Sequence, residues 1–454
     1  MQLSRHVVVG RCCGSDCILG AVMNLSCIAK LFGFNGYSSC SRHVNNALLN
    51  VLLLPIMAAF FSATSAAQSN LPSTPTPAAG SLSVSSASTT GPKLQDRSLG
   101  DILDNLGRVY RDESNQVLQE LWLLGRFHGQ YHWTEASTGS DTGYETRRFR
   151  LGGQARMFKR AIFHAQMVSG SDIDPFYNGF TELWGQWSFS PEVALTIGQQ
   201  KHRFTHDRNV SSRYLNYLER SMLTNMFGAD YTPAITLQGK VKDLTYYTGF
   251  FTNATGQNMG KAFTDFDSGY SFLSAAYYDL GRFSSVDNLT LHATYVHSDA
   301  NENATNFDTF ENGISSAVIL TRGHTSLVTE VTGGIGSERG NALGLNLQPS
   351  YFITREWQLA TRYQLARSND AQGLNAQRRY ERAAGLGRGD LYQAGYLGVN
   401  YYIAKHRLKL MTGIEYANMS GEHAWTASTM VRFYFGPHSG GAFPMNQILP
   451  LDYD

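Results

Sequence analysis

From about Leu118 to Phe435 the chain alternates apolar and polar side chains with a period of two, in short runs broken by turn residues. In Leu121 to Trp133 the odd positions read Leu, Leu, Gly, Phe, Gly, Tyr, Trp, while from Arg126 the even ones read Arg, His, Gln, His. Successive side chains of a strand point to opposite faces, so this run has one apolar face and one that wants water. Sixteen such runs follow one another. They fall at 118–134, 146–158, 161–170, 179–189, 192–200, 232–241, 244–253 and 269–279 in the first half. The second half holds 288–297, 312–321, 324–335, 342–353, 357–367, 391–403, 407–418 and 424–435. A barrel of that many strands encloses a lumen too wide for side chains to fill. The apolar face must therefore turn outward to lipid and the polar face inward to water. The predicted fold class is all-β: a transmembrane antiparallel β-barrel of about 16 strands with a short N-terminal periplasmic helix.

The connections support an oriented barrel. Lys159-Arg160, Ser190-Pro191, Lys242-Asp243, Arg322-Gly323, Thr354 to Glu356 and Ala404 to His406 are tight turns on one side. The opposite connections, such as 253–268, 297–311 and 369–390, are longer and richer in Asn, Asp, Ser and Gly. Short periplasmic turns with long external loops are the asymmetry of outer-membrane barrels. Aromatic residues at strand ends (Trp133, Trp187, Trp357, Tyr401, Phe435) suit the two interfacial girdles.

Upstream, residues 1–67 read as a signal peptide with a long leader. An apolar run from Ala47 to Ala63 follows Arg42 and His43 and precedes Ser65-Ala66-Ala67, which predicts export with cleavage after Ala67. Pro55 interrupts the run, which is shorter than the roughly twenty residues of a membrane-spanning helix. Met23 is an alternative start. All five cysteines (Cys12, Cys13, Cys17, Cys27, Cys40) precede that cleavage point. The mature chain is then free of cysteine, and the four-ligand set of a zinc module is missing. Residues 68–97 are a Ser/Thr/Pro-rich linker. Leu99, Ile102, Leu103, Leu106 and Val109 have helical spacing, and with Ser98 as N-cap they predict a periplasmic helix over 98–117. Residues 436–454 form a C-terminal tail beyond the barrel.

Composition narrows the function. Charged residues are 16% of the chain, below the roughly 25% of soluble domains. A net charge of +1 gives no basic stripe for nucleic acid. No cofactor is called for, and the surroundings implied are outer-membrane lipid. Pores select by width and by charge at a constriction. The best candidate for an inward-folded loop is 201–230, the third external connection. Lys201, Arg203, Arg208, Arg213 and Arg220 there outnumber Asp207, Glu219 and Asp230. On the second strand, Arg148, Arg150 and Arg156 share parity with Gln154, opposite Phe149, Leu151, Ala155 and Met157, so they should face the lumen with Arg126 of the first strand. A column of guanidinium groups offers successive forked donors to oxyanions. Alternatively, these arginines hydrate the wall or pair with Glu182 and Glu415.

His128 and His132 share a face but, four residues apart, are separated by about 13 Å, too far to chelate one metal. His297-Ser298-Asp299 is adjacent in sequence, and such neighbours point in different directions rather than forming a catalytic triad.

Three segments, Leu123 to Tyr131, Thr146-Arg147-Arg148-Phe149-Arg150-Leu151-Gly152, and Gly198 to Lys201 continuing through Phe204, Ser211-Ser212 and Glu219-Arg220-Ser221, together resemble the phosphate-selective porin O and P family. The resemblance implies a sixteen-stranded, usually trimeric, anion-preferring outer-membrane channel for small solutes such as phosphate. The chain departs from the family in having Arg203 where a proline often precedes the phenylalanine, and in running on past Phe433-Tyr434-Phe435. A plugged or structural barrel, an adhesin or scaffold without an open channel, is the other reading.

Overall fold

In the computed structural model, residues 99–437 are described apart from 255–267, 282–285, 308, 337–338 and 378. The expected signal peptide, linker and Ser98 cap, and the tail beyond Pro437, lie outside the described residues. The described chain opens with α1 (Leu99–Asn105), β1 (Arg108–Arg111), β2 (Leu118–Ala136) and β3 (Gly139–Met157). Next come β4 (Ala161–Val168), β5 (Phe180–Ser190), β6 (Val193–Lys201), α2 (His206–Asn209) and α3 (Met222–Met226). β7 (Tyr231–Val241), β8 (Leu244–Thr252), β9 (Gly269–Asp279), β10 (Asn288–Ala300), β11 (Asn312–Arg322) and β12 (Thr325–Ile335) follow. The last strands are β13 (Ala342–Phe352), β14 (Trp357–Ser368), β15 (Leu374–Asn375), β16 (Arg388–Gly389), β17 (Leu391–Ala404), β18 (Leu408–Met419) and β19 (Glu422–Phe435).

Leaving aside β1 and the small β15–β16 ladder, sixteen strands pair antiparallel with their neighbours in chain order. The ring closes where β19 pairs with β2, from Ala424 opposite Ala136 down to Phe435 opposite Gly125. All sixteen predicted runs are strands. Polarity is inverted relative to a soluble barrel. Along β10, Thr290, His292, Thr294 and Ser298 are buried, whereas Leu291 and Tyr295 are exposed. With lipid outside, the exposed apolar face is the stable one.

Two elements differ from expectation. The helix predicted over 98–117 ends at Asn105, and Arg108–Arg111 pairs with β2 instead. β19 stops opposite Gly125, which leaves the edge of β2 from Leu118 to Leu124 without a partner on that side. An open edge recruits a strand, and β1 supplies it. Gly107 makes the bend at φ +89°, with its carbonyl accepting from Leu123 N at 2.7 Å. The second difference lies on the external side. Residues 137–138 alone join β2 to β3, because both strands run on for 19 residues. That is well beyond the 9–11 residues a membrane crossing needs.

The long connection 202–230 folds into the barrel. Phe204, Leu223 and Phe227 of this loop pack on Phe251, Phe307 and Phe310 in one buried cluster. Phe204 and Phe227 meet edge-on at 4.7 Å between ring centroids. The wall makes room with inward glycines: a Cβ on Gly344 of β13 would lie 2.2 Å from Leu223.

Candidate functional site

The lumen has two sides. One is the wall of β2 to β5, and the other is the inward loop, pressed against β8 to β14 and β17 to β19. Thr205 caps α2 by accepting from Arg208 N, and Ser221 caps α3 by accepting from Thr224 N. Wall side chains fix both helices: Glu330 of β12 accepts from His206 N and Asp207 N, and Gln364 of β14 accepts from Met222 N at 2.7 Å.

The run between the helices is held by its backbone carbonyls. Arg432 of β19 donates through Nη1 to Leu215 O (2.9 Å) and through Nη2 to Tyr217 O and Leu218 O (both 2.8 Å). Lys409 Nζ donates to Leu215 O (2.7 Å), Asn400 Nδ2 to Asn216 O (3.0 Å) and Arg362 Nη1 to Glu219 O (2.8 Å). These wall residues were not among the sequence candidates. Strand parity could have found Arg432, since it alternates with Thr426, Ser428 and Tyr434 on the buried face.

Opposite this face stand the wall arginines. Arg126 and Arg150 are directly paired across β2 and β3 and are only 7% and 8% exposed. Arg126 Nη1 donates to Ser212 Oγ of the loop (2.8 Å). Arg150 Nη1 donates to Tyr231 OH (3.1 Å), and Arg208 lies 5.2 Å from the centroid of the same ring. Arg213 of the loop donates to Pro437 O (2.9 Å). Arg126 and Arg213, with His164, Gln166, Glu182 and Pro437, line one recess between loop and wall. Glu182 faces His164 Nε2 there across 3.8 Å. Among the described residues no carboxylate pairs with Arg126, Arg150 or Arg213.

The other predicted arginines have different duties. Arg148 donates to His128 Nδ1 at 3.3 Å on the lumenal face. Arg156 pairs with Glu113 at the periplasmic end, away from the constriction. Lys201 donates to Arg208 O (2.9 Å), Arg220 to Asp207 O and Val210 O, and Arg208 pairs with Asp230 (3.0 Å). Arg203, at the family's proline position, lies 5.3 Å over Tyr247. These groups brace the loop.

Strict alternation on β3 would put Arg147 outside with Phe149 and Leu151, and the structure does not. A bulge lies between the pairs His128–Arg148 and Gly129–Thr146, so Arg147 stands unpaired between them. A bulge re-aims side chains, and Arg147 reaches the loop, where Nη2 donates to Glu219 Oε2 at 3.0 Å. Burial pushes the Glu219 carboxyl up, but the Arg147 guanidinium beside it more than offsets this and holds it below the usual carboxylate range. Glu415 is likewise paired, with Arg362 at 2.8 Å. The acids able to oppose anions are thus mostly neutralised. His297, Ser298 and Asp299 do not converge: Ser298 Oγ donates to Phe307 O at 2.9 Å, whereas His297 is exposed beside Asn312.

The model of the phosphate-selective porin O and P family matches residues 123–430, more than half of the chain and nearly the whole barrel. The chain belongs to that family. Its members are outer-membrane channels, and the protein is accordingly a porin of the bacterial outer membrane. Solved porins share the fold. OprB of Pseudomonas putida, at high pH, aligns with a TM-score of 0.53 at 13% identity, over 69% of this chain and 94% of that one. OmpF of Salmonella typhi, in complex with daunomycin, aligns at 0.51 and 10% identity, over 72% of this chain and all of that one. Among curated proteins nothing matches.

Proposed function

We propose that this porin passes small hydrophilic solutes by passive diffusion and prefers anions, phosphate among them. The observation that carries the reading is the set Arg126, Arg150 and Arg213, which faces the passage from both sides without a carboxylate partner among the described residues. Guanidinium groups in a low-dielectric strait attract oxyanions and present forked donors to them. Several such groups in series let an ion step through rather than bind tightly. In the membrane the protein works as a homotrimer, the assembly usual for its family.

The test is the reversal potential of the refolded protein in a planar bilayer under a KCl gradient. The expected potential leans to chloride, and replacing both Arg126 and Arg150 by Gln moves it toward cations. A potential that leans to cations in the unmodified protein, or does not respond to the double substitution, overturns the reading. One observation favours a plugged barrel instead: the chain after β19 turns inward, placing Pro437 O against Arg213 in the recess. On that reading no conductance appears.

A further inference from the structure

Arg432 is 1% exposed and has no carboxylate partner among the described residues. Its Nε donates to Met430 Sδ (3.0 Å) on its own strand, and both Nη groups are spent on the loop. Besides Leu215, Tyr217 and Leu218, its Nη1 lies 3.4 Å from Ser212 O, so one planar fork gathers four carbonyls from a seven-residue stretch. Lys409 is its direct cross-strand partner and reaches the same Leu215 carbonyl. A stretch that turns its carbonyls inward around a cation has no regular backbone partner for them, and its shape depends on that cation. The stretch begins at Ser212, which receives Arg126, and is followed directly by Glu219, which receives Arg147. Both contacts with the opposite wall are therefore carried by the stretch this fork gathers, with Asn400 and Arg362 each holding one further carbonyl and Tyr217 and Leu218 packing on Tyr396, Met411 and Met430. The apolar cluster anchors the flanks near Phe204 and Leu223 but does not include Ser212 to Leu215.

We propose that Arg432, backed by Lys409, is the positioning residue that fixes the loop side of the constriction. It holds the passage at one width, while ion preference is set elsewhere, by Arg126, Arg150 and Arg213. This rests on the open-channel reading for its electrical consequence but not for its structural one. Because a guanidinium gathers four carbonyls and an ammonium has only three donors, substitution separates geometry from charge.

The experiment compares Arg432→Gln and Arg432→Lys with the unmodified porin in single-channel recordings, and also by trypsin digestion of the detergent-folded barrel. Expected for Arg432→Gln is loss of the single steady level to rapid flicker at an unchanged reversal potential, with new cleavage after Arg213 or Arg220. Arg432→Lys keeps the charge and should give an intermediate of both effects. A steady level equal to that of the unmodified protein together with an intact loop overturns the proposal. So does a reversal potential that shifts in Arg432→Gln but not in Arg432→Lys, which would make Arg432 part of the charge filter. If the unmodified protein does not conduct, the channel reading fails and the trypsin result alone decides this one. Should Arg432→Gln not reach the heat-modifiable folded form, Lys409→Gln is scored by the same readouts.

Discussion

Arg147 is where a single residue changes the electrostatics of the pore. Two-residue alternation places it with Phe149 and Leu151 on the lipid face, yet the bulge turns it inward to Glu219. The bulge shifts the phase of the alternation, so inward positions pass from odd (Glu145, Arg147) to even (Arg148, Arg150), and its mark in the sequence is the adjacent pair Arg147-Arg148, which an alternation read from Arg148 onward passes over. The consequence can be measured. Removing one partner of a buried ion pair leaves an uncompensated charge and costs about 3 kcal/mol or more. Arg147→Met should thus lower barrel stability and, by exposing the Glu219 carboxylate to the passage, move the reversal potential toward cations. Adding Glu219→Gln should return the potential to its starting value. A double variant that stays cation-leaning would show that Arg147 acts directly on the permeating ion.

At the level of elements, the strands and the inward fold of 201–230 were legible, and the path of that loop was not. Strand positions follow from which side chains prefer lipid and which prefer water, a property each residue carries in the sequence. The loop path instead depends on backbone carbonyls meeting Arg432, Lys409 and Asn400, and carbonyls are the same at every position. Arithmetic on the loop's charges gave a modest basic excess, but Lys201 and Arg220 are spent on carbonyls and Arg208 on Asp230. The external connection 369–390 repeats the lesson. Gln377 Nε2 donates to Arg220 O (3.4 Å), so this connection rests on the inward loop, and Arg379 pairs with Glu145 of the wall. Within it, Glu381 accepts from Tyr392 OH (2.7 Å) and Gln377 N (2.7 Å), with Glu415 and Arg362 also acting on it. Burial, with Glu415 adding to it, pushes this carboxyl up to about 7. The packed form therefore holds its proton more tightly than the released form, so packing is firmest below the ordinary carboxyl pKa of 4.5 and weakens as pH rises toward 7. Hydrogen exchange of 369–390 should accelerate between pH 4.5 and 7 beyond the intrinsic base-catalysed rise. Glu381→Gln should remove that excess, and an excess that survives the substitution would assign it to another group.

For the whole molecule, closure of the barrel is a seam problem. β19 ends opposite Gly125 while β2 starts at Leu118, so the last pairing leaves a free edge at the periplasmic rim. β1 covers part of that edge, with Arg111 opposite Glu120 and Tyr110 opposite Leu121. α1 ties it to the other side of the seam: Asp104 pairs with Arg407 (3.0 Å), and Leu106 O accepts from Gly436 N (3.2 Å). Arg407 in turn donates to Gly436 O (2.6 Å), so α1 and the end of β19 converge on one buried guanidinium. In a membrane, unpaired backbone groups are costly and a closed ring removes them. The segment 99–111 is then part of the barrel's closure and no mere appendage of its mouth. Deleting it should lower the temperature at which the folded band is lost in heat-modifiability gels. Arg407→Ala in the full chain should reproduce much of that loss, because it unties α1 and the end of β19 together. A deletion that melts where the full chain melts would assign closure to the β19–β2 pairing alone.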